Sequence, residues 1–110
     1  MSDKRERLEW LLPEGWPRPR GYANGVAFDP RASRQILVGG MIGWDEQETI
    51  VSDDFAAQFG QALKNVVAVV RSGGGDVGDI ARLTVYVTDL EAYRGSAKEV
   101  GAAYRAVMGK

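Results

Sequence analysis

The chain has 110 residues, 45% apolar and 26% charged, with a formal net charge of −1. That size and balance describe one small globular domain, and a near-neutral charge disfavours a broad phosphate-binding face, and so nucleic acid as a ligand. The absence of cysteine and histidine excludes disulfides, thiolate nucleophiles, Ser-His-Asp arrangements and most transition-metal sites.

The first seven residues are charged, and "MSDKRERLEW" has no apolar h-region of a signal peptide. No stretch reaches the apolar length that spans a bilayer, so no membrane association and a cytoplasmic location are expected. Residues 1–20 read as an extended N-terminal arm. Within "LEWLLPEGWPRPRG", three prolines accompany large apolar side chains that need a surface to cover. "YANGVAF" (22–28) and "RQILVGGMI" (34–42) are strand-like, and "DPRASR" between them predicts a hairpin. What precedes Asn24-Gly25 is too short to be a partner strand, so that pair reads as a bulge or a point of close approach.

From Ser52 the period becomes helical: Phe55, Phe59, Ala62, Leu63, Val66, Val67 and Val70 share one face. Ser52 is the expected N-cap, with Asp53 and Asp54 in the first turn, where the helix dipole favours negative charge. Arg71 and Gly73 signal the stop. The glycines at 73, 74, 75 and 78 follow a helix and precede a strand, and no Lys-Ser/Thr follows them. That order is the reverse of a phosphate-binding loop, so they mark the helix exit. "DIARLTVYVTD" (79–89) alternates as a strand, with Leu83, Val85 and Val87 on one face and Thr84 and Tyr86 on the other. Tyr86 and Thr84 suit either plain sheet packing or an intersubunit surface. Asp89 should cap a second helix striped by Tyr93, Ala97, Val100, Tyr104 and Val107. Gly95 and Gly101 weaken it by about 1 kcal/mol each relative to alanine, and Gly101 admits close packing or leaves room for a ligand. The order strand, strand, helix, strand, helix predicts a single α+β domain over 1–110, with two helices packed on one face of a sheet. Asp45, Glu46 and Glu48 lack calcium-loop spacing and read as a solvated turn, so no metal site is expected.

Several of these stretches together resemble the Rid family, also called YjgF and, in older usage, endoribonuclease L-PSP. "GYANGVAF" is similar to its opening strand. The block from "ILVGGMIGWDEQ" through "QALKNVVAVV" and "GDVGDI" to "VTDL" is similar to its centre, and "VGAAYRAVM" to its final helix. The resemblance implies a chorismate-mutase-like fold assembled as a homotrimer, with three intersubunit clefts that bind a small molecule. It implies hydrolysis of reactive enamines and imines to keto acids and ammonia, with no metal or organic cofactor.

Carried over residue by residue, Tyr22 matches the pocket tyrosine, with an ordinary aromatic at a strand start as the alternative. Gly40 matches the glycine whose backbone faces substrate. Gly39 stands where active members often have Ser, Met41 where they have Gln, and Gly101 where they have Asn. Trp44 follows the pocket glycines and walls the cleft or makes a surface or trimer contact, and Tyr104 lies on the final helix beside the cleft. The family's two C-terminal strands, with a carboxylate-clamping arginine and a water-positioning glutamate, have no counterpart in this sequence, so no catalytic residue can be named. The alternative reading is therefore a catalytically silent Rid-like module that binds a small metabolite or a protein. The ribonuclease activity of the older name is disfavoured by the acidic balance and the lack of histidine.

Overall fold

The computed structural model describes residues 8–19, 24–29 and 34–109. Among them the chain forms a two-stranded sheet and three α-helices, a small α+β architecture. Strand β1 is Glu9–Leu11 and β2 is Gly25–Ala27, antiparallel in the register Glu9↔Ala27, Trp10↔Val26 and Leu11↔Gly25. The arm is therefore not wholly an unpaired extension: its Trp-Leu run supplies the partner strand that Asn24-Gly25 was expected to lack. Gly25 sits in the regular register opposite Leu11 rather than in a bulge, and a Cβ there would make ordinary contact with Leu11 Cδ1 at 3.4 Å.

Helix α1 is Phe55–Ser72. Its cap is Asp54, not Ser52: Asp54 Oδ2 accepts from the Ala57 N–H at 3.0 Å. Only the residue directly before the first helical turn can reach that amide. Ser52 serves one step earlier, its Oγ accepting from the Asp54 N–H at 3.0 Å. Asp53 and Asp54 thus precede the first turn rather than occupying it. Leu63, Val67 and Val70 are buried along the expected stripe, with Phe55, Phe59, Ala62 and Val66 half-buried beside them; Ala56, outside that stripe, is buried too. Arg71 closes the last turn and Gly73 is the C-cap, as the pattern indicates. Gly74 then takes φ +94°, a left-handed conformation that glycine adopts without a Cβ clash. Asp76 and Asp79 cap one 3-10 turn, Val77–Asp79, reciprocally. Arg71 Nε donates to Asp76 Oδ1 at 3.1 Å. The glycine run is a helix exit.

The second expected helix divides in two. Helix α2 is Leu90–Gly95 and α3 is Ala97–Met108, with the break at Ser96 (φ −110°, ψ 17°), just after a glycine that weakens helix. Asp89 caps α2 as expected, accepting from the Ala92 N–H at 3.0 Å. Three helices, not two, form the layer. α1 packs chiefly on α3, where a Cβ on Gly60 would stand 3.4 Å from Ala103 Cβ and Val100 is buried. Tyr93 of α2 meets Phe55 edge-on, with centroids 5.8 Å apart at 63°. Gly101 has the Arg105 guanidinium beside it, 3.3 Å from an ideal Cβ, so its vacant side is used within its own helix.

The segments 34–42 and 79–89, expected as strands, are not strands among the described residues. Residues 34–41 and 81–88 make no backbone–backbone hydrogen bond there. In 34–42 Ile36, Val38 and Met41 are half-buried while Leu37 is 85% exposed, and in 81–88 every residue but Val87 is exposed, Tyr86 at 92%. An alternating pattern becomes a strand only where a neighbour supplies the ladder, and the β1–β2 pair does not extend to either segment. The hairpin expected across residues 29–34 is accordingly not formed among the described residues, and 30–33 lie outside them.

Candidate functional site

The candidate residues fall in two places. Gly39, Gly40, Met41 and Trp44 lie on one run that leads from the unladdered segment into a small turn, while Gly101 and Tyr104 are one turn apart on α3. Tyr22 lies outside the described residues. Gly39 and Gly40 are exposed, with open space where a Cβ would stand. Met41, Trp44, Gly101 and Tyr104 are half-buried.

The end of the first run is fastened to α1. Asn65 Nδ2 donates to the Ile42 carbonyl at 3.0 Å and to the Trp44 carbonyl at 2.8 Å. Gln61, one turn earlier, donates from Nε2 to Asn65 Oδ1 at 3.0 Å. Between the two carbonyls, Gly43 is buried against the helix, and a Cβ there would lie 2.8 Å from Gln58 Cα and 2.9 Å from Gln58 O. No side chain fits that approach. Beyond it, Trp44 bridges Ile50, and the Val51 N–H donates to the Gly43 carbonyl at 3.0 Å. Asp45 Oδ1 accepts from the N–H groups of Gln47 (2.9 Å) and Thr49 (3.1 Å), and Glu48 takes φ +59°. The acidic trio is thus a turn built on an aspartate side chain. Among the described residues no group of three acidic side chains is placed to hold a metal, and no helix is long and apolar enough to cross a membrane.

Asn65 and Gln61 were not singled out from the sequence. The available signal was a pair of amides four apart on one helix, neighbours by geometry, interrupting a stripe that is otherwise apolar. A concavity of about 340 Å³ opens between α1 and α3, lined by Lys64, Val67, Ala68, Arg71, Ala106 and Val107. It contains none of the candidate residues.

A 2-iminobutanoate/2-iminopropanoate deaminase of Salmonella typhimurium is 38% identical over 72 residues, covering 66% of this chain and 53% of that protein. The protein of the same name from Escherichia coli is 39% identical with the same coverage. A RutC family protein of Pyrococcus horikoshii is 29% identical over 87 residues, covering 77% of this chain and 66% of that one. The chain spans about half the length of the deaminases it matches. No solved structure matches it. The family model described as endoribonuclease L-PSP matches residues 19–109, from the end of the arm to the end of α3. A match of that extent places the chain in the endoribonuclease L-PSP family, the Rid family that its ordered motifs resemble.

Proposed function

We propose that the chain is a Rid-type deaminase that hydrolyses reactive enamines and imines to keto acids and ammonia. The observation that carries this reading is the 38–39% identity to two proteins named 2-iminobutanoate/2-iminopropanoate deaminase. In the reaction, water adds to the imine carbon as the C=N electron pair moves onto nitrogen and nitrogen takes a proton. The carbinolamine then collapses: its hydroxyl proton passes to nitrogen, C=O forms as C–N breaks, and ammonia leaves. An enamine first takes a proton on its β-carbon and loses one from nitrogen to become the imine. The chain has no histidine or cysteine to assist, so backbone groups, hydroxyls and carboxylates place the water. The substrate lies in a cleft between subunits of a homotrimer, beside Gly39, Gly40, Met41 and Trp44 of one segment and Gly101 and Tyr104 of α3, with Tyr22.

Assembly is supported by surface. Among the described residues Leu37, Ile42, Val85 and Tyr86 are exposed large hydrophobic side chains, surface that a partner would cover. Val38→Lys in the same segment is expected to dissociate the trimer and abolish cleft activity together, read by sedimentation and turnover. The test of function is ammonia release from enzymatically generated 2-aminoacrylate. A folded, trimeric sample that gives no rate above buffer sinks the reading.

A second reading, a silent module that binds a small metabolite, is favoured by Gly39, Met41 and Gly101, which carry no hydrogen-bonding side chain where the family often has one. Thermal stabilisation by a small keto acid in the absence of turnover selects it.

A further inference from the structure

We infer that Asn65 is the positioning residue of the candidate cleft, acting through the backbone of residues 42–44 rather than by touching substrate. This inference rests on the deaminase reading for its consequence, but its geometry stands apart from it. The run carrying Gly39, Gly40 and Met41 makes no backbone–backbone hydrogen bond of its own among the described residues. The first fixed point after it is the double contact of Asn65 with Ile42 and Trp44. Both amide hydrogens of Asn65 are spent on that backbone, and its oxygen is held by Gln61, which sets which way the amide faces. Gly43, pressed on the Gln58 backbone, removes the slack between the two carbonyls. Among the contacts that hold residues 42–44, beside the Gly43 approach to Gln58 and the Trp44–Ile50 bridge, Asn65 is the side chain that takes both carbonyls and so sets the backbone from which Trp44 projects. An aspartate at 65 keeps the shape but turns a donor pair into an acceptor facing two carbonyls. Losing two such hydrogen bonds near the reacting groups predicts a fall of about tenfold in kcat/KM.

The test uses a chain in which Trp10 and Trp16 are phenylalanine, so that Trp44 is the sole indole. In Asn65→Asp the Trp44 emission is expected to shift to the red and its quenching by acrylamide to rise, while far-UV circular dichroism keeps the helical signal. Gln61→Ala, which frees only the orienting contact, should give a smaller shift in the same direction. A fall in Tm with Trp44 emission and quenching unchanged makes Asn65 an ordinary packing contact and overturns the inference. If Asn65→Asp does not fold, Gln61→Ala decides by the same two readouts. Where the parent chain turns over 2-aminoacrylate, the loss should fall on kcat/KM for both variants in the same order. Absence of turnover in the parent counts against the deaminase reading alone, because the fluorescence readouts need no substrate.

Discussion

The helical layer and the two strand-patterned segments use similar amounts of apolar sequence to different ends. Along α1, Leu63 and Val67 are 4% and 2% exposed, the N-terminus is capped by Asp54 and the exit is closed by Gly73. Along 34–42 and 81–88, Leu37 and Tyr86 remain 85% and 92% exposed and the backbone has no ladder among the described residues. A helix satisfies its own N–H and C=O groups within four residues, so an amphipathic helix needs only something to lie against. A strand satisfies none of its own and depends on a neighbour for every one. One chain can therefore complete its helices while its strand-patterned segments stay without a ladder among the described residues.

That contrast can be broken at four points, taken from the largest expected effect downward. Leu63→Ala opens a cavity between α1 and its neighbours and should cost about 2–5 kcal/mol, seen as a lower urea midpoint at unchanged slope. Gly43→Ala forces a methyl group against the Gln58 backbone and should cost about 1–3 kcal/mol by overpacking, with Trp44 emission changing alongside the urea midpoint. Asp54→Ala removes the α1 cap and should cost about 1 kcal/mol; Asp54→Ser should restore most of it in thermal melts. Leu37→Ala should change stability by no more than about 0.5 kcal/mol if the segment is solvated in the working protein. A larger loss that grows with protein concentration would show that assembly buries Leu37, and would transfer that segment to the ordered side of the comparison.

Much of the helical layer was legible because its signals are local. The stripe from Phe55 to Val70, the Arg71–Gly73 stop and the Asp89 cap each depend on residues within a turn or two. The errors there were small and had local causes. The cap is Asp54 rather than Ser52 because Asp54 directly precedes the first turn and reaches the Ala57 amide, while Ser52 reaches only the Asp54 amide, and the second helix divided at Ser96 after Gly95. The β1–β2 pair was not legible, since Trp10 and Val26 are 16 positions apart and meet across a proline-rich connection. The candidate site was legible only as a run of glycines followed by Trp44, carried by family resemblance. Nothing in the pattern indicated that Asn65 would reach back 23 residues to Ile42.

By itself the sequence determined the position and facing of α1, the nature of the glycine run and membership of the family. These follow from residue identity, short-range periodicity and ordered motifs, which need no knowledge of what lies nearby in space. Only the tertiary structure decided that the arm supplies a strand, that Gly43 lies flat on α1, and that Asn65 ties Ile42 and Trp44 to the helix. Those contacts join groups distant in the chain, where the entropy of closing the loop is offset by hydrogen bonds and burial that exist only once both partners are in place.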